Sequence, residues 1–231
     1  MFLSASKVAQ SKSSASYPTR NIEAVVQQQP ASYYIGKRII DISGALIGII
    51  LLSWLFLIIA IVIKVEDPKG PVFFRQKRIG KNEKEFHMFK FRSMVSDAEE
   101  RLKDLLEKNE TGSIMFKMKH DPRITKIGRF IRKTSLDELP QLWNVLRGEM
   151  SLVGPRPPIE REVEQYSEYD KQRLLVTPGC TGLWQVSGRS SIGFEEMVEL
   201  DLQYIQKRTI GYDINIILKT VGVLFGSKDA Y

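Results

Sequence analysis

Asp137 and Glu138 are neighbouring carboxylates in a stretch that carries cations on both sides, with Arg123, Lys126, Arg129, Arg132 and Lys133 before them and Arg147 and Arg156 after. Guanidinium forks suit phosphate oxygens, and adjacent carboxylates can divide the roles of nucleophile and metal ligand. The combination points to phosphoryl chemistry. A blander account of Glu138 is a capping box, in which Ser135 caps a helix and Glu138 reaches back to the serine backbone. Pro140 leaves the register open, because either Ser135 or Asp137 can serve as the cap. Both registers put Asp137 near a helix N-terminus, where a carboxylate stays ionised and a diphosphate is favoured.

Arg156 stands between Pro155 and Pro157, after Gly154, so its backbone is confined to a few extended states. A cation held this way clamps a phosphate at lower ordering cost. Thr177 to Gly182 is rich in turn residues and leads into Leu183-Trp184-Gln185 and Ser187-Gly188-Arg189, a loop of a kind that can bind a nucleotide or sugar. His87 and His120 have no companions at zinc-site spacing. A single cysteine, Cys180, leaves no intramolecular disulfide, and no P-loop or dinucleotide fingerprint occurs.

The elements that must position these groups divide the chain of 231 residues into three regions: a polar, flexible leader over 1–34, a membrane-embedded helix with its flanks over 35–66, and a catalytic domain over 67–231. The leader has one short helical patch near Ile22 to Gln28. From Ile42 to Ile63 run 22 residues without a formal charge, long enough to be a membrane helix. The heavier basic flank after it places the main domain in the cytoplasm. Val72 to Arg78 and Phe86 to Arg92 read as a β-hairpin turning after Ile79, with basic strands that could face lipid headgroups. Helices are expected over Asp97 to Asn109 (apolar face Leu102, Leu105, Leu106), Ser135 to Leu146, Ile159 to Leu174, Phe194 to Gln206 and Asp213 to Phe225. The last has an apolar stripe suited to core packing or to the membrane interface. The fold class is α/β, mostly helical with a small β-hairpin or sheet and one N-terminal hydrophobic helix. A net charge of +7 suits anionic lipids or phosphorylated substrates, and no nucleic-acid signature is present.

The chain resembles the bacterial sugar transferases, the monotopic polyprenyl-phosphate phosphoglycosyl transferases, in their short form. The likeness runs from about Ile35 to Phe225 and rests on the hydrophobic helix, VFFRQKRIG from Val72, SLDEL from Ser135, NVLRGEMSLVGPRP from Asn144, PGCTGLWQVSGR from Pro178 and ELD at Glu199 to Asp201. It implies transfer of a sugar 1-phosphate from a UDP-sugar to undecaprenyl phosphate at the cytoplasmic face of the bacterial inner membrane. In that reading Asp137 is the nucleophile, Glu138 helps to hold Mg2+ (or Mn2+) with Asp137, Arg156 binds phosphate, and Arg132, Arg189 and, from its place in the basic cluster, Arg123 are further substrate-binding candidates. The partners implied are the two substrates and membrane lipids; a homodimer is compatible. Family members commonly bend the membrane helix at a Ser-Pro pair, but Ser53 is followed here by Trp54. A straight helix of this length could cross the bilayer. Ser53 hydrogen-bonded to the preceding turn, Gly44 and Gly48 loosening the first arm, and Asp41 anchoring the entrance favour a re-entrant bent helix. A processive glycosyltransferase releasing UDP and a noncatalytic membrane scaffold are the rival readings.

Overall fold

The computed structural model describes residues 21–105, 118, 121–188 and 192–226. Helices α1 (Ile22–Gln28) and α2 (Ala31–Glu66) precede an antiparallel hairpin of β1 (Phe73–Ile79) and β2 (Glu85–Phe91), in which Phe74 pairs with Lys90. There follow α3 (Ala98–Leu105), α4 (Lys126–Lys133), a 3-10 turn at Leu136–Glu138, α5 (Gln141–Arg147), β3 (Ser151–Val153), α6 (Glu160–Val163), α7 (Glu168–Lys171), β4 (Gly179–Thr181), α8 (Leu183–Ser187), α9 (Phe194–Lys207) and α10 (Ile210–Gly226). Strands β3 and β4 pair in parallel. The fold is thus mostly helical with two small sheets.

The hairpin and the helices α9 and α10 form where apolar spacing places them. Two other expected helices are divided. Pro140 separates the 3-10 turn from α5, which Gly148 ends in the left-handed region at φ 78. The stretch from Ile159 to Leu174 breaks into α6, α7 and a 3-10 turn, because local carboxylates cap it twice: Glu162 accepts from the Ile159 amide (3.1 Å) and Asp170 from the Ser167 amide (2.9 Å). Leu106 and the end of the expected helix after α3 lie outside the described residues.

The main core surrounds α9, whose Val198, Leu202 and Ile205 are enclosed by Ile22, Val153, Val176, Leu183 and Ile216. Helix α2 closes two further cores: Ala45 packs with Val145 and Met150, and Ile59 and Ile63 with Phe91 and Ile131. Its buried positions Asp41, Ala45, Ile59 and Ile63 fall on one face at the helical period. The opposite face, including Ile39, Ile50, Trp54, Leu57, Ile61 and Val65, is exposed and apolar. Gly44 lets α2 approach β3, since a Cβ there would meet Leu152 at 2.7 Å.

Polar anchors fix both ends of α2 to this one domain. Arg38 donates to the last carbonyls of α5, Val145 (2.6 Å) and Leu146 (2.7 Å), and Asp41 accepts from Ser151 Oγ (2.9 Å) and the Leu152 amide (2.8 Å). At the far end Glu66 accepts from the first amide of α4, Lys126 (2.9 Å). Arg38 and Glu66 lie about 42 Å apart along a helix rising 1.5 Å per residue. A helix crossing a hydrocarbon layer of about 30 Å would put these anchors on opposite sides of it. Docking at both ends therefore argues against a crossing that leaves the domain on one side, and it leaves the exposed apolar face of α2 free for a bilayer. The bend expected at Ser53-Trp54 brings no break in α2: without a proline to remove a ladder donor the helix runs unbroken through both residues, although Ser53 Oγ does donate to the preceding turn at the Ile50 carbonyl (2.9 Å).

Candidate active site

Asp137 lies in the 3-10 turn Leu136–Glu138, between α4 and α5. Ser135, ahead of it, adopts a left-handed conformation (φ 56) and its side chain caps nothing, so the capping box does not form. Nor does α5 begin until Gln141. The turn sends the two carboxylates into different surroundings. Asp137 is buried, at 7% exposure. Burial pushes its carboxyl up to about 6, with Glu138 adding to the rise and Lys90 and Arg132 opposing it. Glu138 is partly open to solvent and accepts from Lys90 Nζ at 2.6 Å. Desolvation works against its ionisation, but Lys90, followed by Arg78 and Arg156, holds it below the usual carboxylate range. One carboxylate is thus firmly anionic and its neighbour is poised near neutrality.

The cations converge from three parts of the chain. Lys90 comes from β2. Arg78, at the end of β1, is buried and donates to the Pro157 carbonyl (2.9 Å) and to Gln76 Oε1 (2.6 Å). Burial and the nearby Arg156 charge disfavour its cationic form, yet a guanidinium does not lose its proton in proteins, so the cost remains as an unspent attraction for an anion. Arg156 forms a bidentate pair with the buried Glu162 (2.9 and 3.3 Å). Behind it the wholly buried Arg173 pairs with Asp201, donates to Tyr166 Oη (3.0 Å), and donates to the Arg156 carbonyl (3.2 Å). Burial pushes the Asp201 carboxyl up to about 6 against the pull of Arg173. Arg156 is therefore held at its side chain and its backbone. The loop carrying it rests on β4 so closely that a Cβ on Gly179 would lie 2.0 Å from the Gly154 nitrogen.

Of the residues selected from sequence, Asp137, Glu138, Arg132 and Arg156 share this electrostatic site. Arg123 is turned elsewhere: it is buried against Asp121 (2.6 Å) and donates to the Ala98 carbonyl (3.2 Å). Arg189 and His120 lie outside the described residues. Asp41, Ser53 and Trp54 belong to α2, as expected, with Asp41 docked and Trp54 exposed. Basic strands facing lipid headgroups are not what the hairpin provides at three positions. Lys90 and Arg78 face the carboxylates, and Lys77 pairs with Glu85 (2.8 Å) and Glu160 (3.2 Å). Lys90, Arg78, Glu162 and Arg173 escaped sequence reasoning; the only local signal was a cation at alternating hairpin positions.

No group of three or more metal-binding side chains occurs among the described residues. The adjacent carboxylates nonetheless fit Mg2+, which is usually held by one or two carboxylates with substrate phosphates and water completing its shell. Lys90 occupies one Glu138 oxygen, and Lys90 and Arg132 act on Asp137 without forming an ion pair with it.

The model of the family described as bacterial sugar transferase matches residues 32–227. Among curated proteins the chain is 52% identical over 194 residues to the galactosyl transferase CpsE of Streptococcus agalactiae, covering 84% of this chain and 43% of that one. It is 45% identical to the undecaprenyl-phosphate galactose phosphotransferase of Salmonella typhimurium, covering 84% of this chain and 41% of the relative. The exopolysaccharide production protein ExoY of Rhizobium meliloti is 40% identical, with 85% of this chain and 88% of that protein covered. The chain thus spans less than half the length of the first two relatives and most of the third.

Proposed function

Because the chain belongs to the bacterial sugar transferase family, we propose that it transfers a sugar 1-phosphate from a UDP-sugar to undecaprenyl phosphate at the cytoplasmic face of a bacterial membrane, releasing UMP and starting a lipid-linked glycan. The observation that carries this reading is the unequal carboxylate pair, with Asp137 buried near Lys90 and Arg132 and Glu138 near Lys90, Arg78 and Arg156. A noncatalytic scaffold would have no use for a desolvated aspartate among cations.

The mechanism has two displacements. An Asp137 carboxylate oxygen bonds to the sugar-bearing phosphorus, and the bond from that phosphorus to the bridging oxygen breaks, so the electron pair leaves with UMP. An oxygen of undecaprenyl phosphate then attacks the same phosphorus and the Asp137 carboxylate departs unchanged. Neither step requires a proton. Arg156, kept in place by Glu162 and by the Arg173 bond to its carbonyl, binds a phosphate oxygen, while Arg132 and Lys90 reduce the repulsion between an anionic nucleophile and an anionic diphosphate. Lys90 also keeps Glu138 ionised, which preserves a metal ligand. Mg2+, or Mn2+ in its place, held by Asp137 and Glu138 would supply further screening of phosphate charge.

Galactose appears in the names of two of the relatives, so UDP-galactose is the first donor to test. A panel with UDP-glucose and the N-acetylated forms, each with undecaprenyl phosphate and Mg2+, should give UMP and a sugar-diphospho-lipid from at least one donor. Donor labelled in the sugar should leave label on the protein when the acceptor is withheld, and Asp137→Asn should retain none. UDP as the nucleotide product would instead establish a processive glycosyltransferase.

A further inference from the structure

A second cationic cavity lies at the N-terminal shoulder of α2, away from the carboxylate pair. It encloses about 60 Å³ and is lined by Tyr33, Tyr34, Lys37, Lys81, Tyr204 and Arg208, with Val176 and Thr177 completing the wall. Lys81 reaches it from the hairpin tip, whereas Lys90 marks the Asp137 site. From Glu85 to Lys90 alone the strand extends about 17 Å at 3.4 Å per residue. None of the lining residues has a role in the proposed transfer.

The charges here do not balance. Lys37, Lys81 and Arg208 contribute three cations, against which the carboxylate in contact is Asp213, and it is already engaged by Lys37 Nζ (2.9 Å) and Tyr204 Oη (2.8 Å). Arg208 is 4% exposed, and among the described residues no carboxylate lies within ion-pair distance of it. Its guanidinium sits over the rings of Tyr33 (5.6 Å) and Tyr34 (5.7 Å) and donates to Tyr34 Oη (3.1 Å), yet its Nε has no hydrogen-bond partner. Lys81 Nζ is held 5.8 Å from the Tyr34 ring centre. The tyrosine faces and the carbonyl end of α9, immediately before Arg208, offset part of this charge. A buried guanidinium with one nitrogen unsatisfied still calls for an anion.

Size and position identify the anion's class. A cavity of about 60 Å³ holds several waters or one phosphate group, but is far below the roughly 300 Å³ or more of typical small-molecule sites, which disfavours a nucleotide. Ile35 and Ile42, at 61% and 36% exposure, lie on the side of α2 next to the cavity residue Tyr34 and begin its apolar face. We propose that this cavity binds the headgroup phosphate of an anionic phospholipid, whose acyl chains lie along Ile35 and Ile42. The site would fix the depth of the α2 shoulder in the bilayer, independently of the sugar-phosphate reaction.

The test uses the full chain in neutral detergent, titrated with dihexanoyl phosphatidylglycerol, dihexanoyl phosphatidylcholine or inorganic phosphate while thermal unfolding is followed. Phosphatidylglycerol should raise the melting temperature saturably. Phosphatidylcholine, whose quaternary ammonium would face the cations, and inorganic phosphate should not do so at the same concentrations. Lys81 is exposed, so Lys81→Gln should fold normally, keep its UMP release in neutral detergent, and bind phosphatidylglycerol about fivefold more weakly. Arg208→Lys, which keeps the charge without the planar fork, should also weaken binding. Unchanged affinity in Lys81→Gln, equal stabilisation by the two lipids, or saturation by inorganic phosphate alone would each overturn the assignment.

Discussion

Replacing Asp137 with asparagine should stabilise the protein at alkaline pH while abolishing turnover. An unfolded aspartate titrates near 3.8, whereas burial raises Asp137 to about 6 in the folded chain. The folded state therefore holds this proton more tightly than the unfolded state, and stability is gained as pH falls from about 6 towards 4. Above pH 7 the ionised side chain costs the fold about 3 kcal/mol, at 1.36 kcal/mol per pH unit. Asparagine removes that cost but turns amide hydrogens towards Lys90 and Arg132, which cannot accept them, a loss of about 1 to 2 kcal/mol when they stay unsatisfied. The net expectation is a gain of about 1 to 2 kcal/mol at pH 8, or roughly 2 to 8 °C in melting temperature for a domain of this size. The gain should shrink through pH 6 and vanish or reverse near pH 4. Thermal unfolding of both proteins in neutral detergent with EDTA, at pH 8, 6 and 4.5, reads this directly. A variant less stable than the parent at pH 8, or an offset independent of pH, would refute the desolvation argument for Asp137.

Three further outcomes follow from the same geometry. The acid limb of the kcat/KM profile should lie near pH 6, and Lys90→Met should move it to higher pH, because Lys90 lowers both carboxyls; an unmoved limb would remove Lys90 from the site. Mg2+ should raise the melting temperature of the parent at pH 8 but not that of Asp137→Asn or Glu138→Gln, and equal shifts in all three would place the ion elsewhere. Cysteines introduced at Ser32 and Lys69, beside the two ends of α2, should react with an impermeant maleimide from the same side of a sealed vesicle. Burial pushes the Cys180 thiol up, so its background labelling should be low. Labelling from opposite sides would show that α2 crosses.

The site was legible where its chemistry is local and obscure where it depends on distant packing. Asp137 and Glu138 stand together in the chain, and Arg156 is flagged by the prolines around it. Lys90 and Arg78 carry no such mark, because strand alternation separates two faces without saying which of them meets the 3-10 turn. Arg173 and Asp201 are 28 residues apart in sequence, and only the packing of α9 joins them. Pro140 and the capping carboxylates Glu162 and Asp170 also hide helix breaks inside stretches whose apolar spacing reads as continuous.

Helix α2 was hard to read for a different reason. Amphipathicity reveals orientation when one face meets a core and the other meets water, but lipid and protein interior are both apolar solvents. In its second half the docked Ile59 and Ile63 and the exposed Leu57 and Ile61 are of the same type, so the sequence carries no contrast between the two faces. The first half does carry it: Lys37, Asp41, Gly44 with Ala45, and Gly48 recur every three to four residues, and small or polar residues are costly or useless against acyl chains. These residues meet Asp213, Ser151, Leu152 and Leu142. The seating of α2 on the domain is thus set by its docked small and polar side chains, and the exposed isoleucines and leucines need only be greasy.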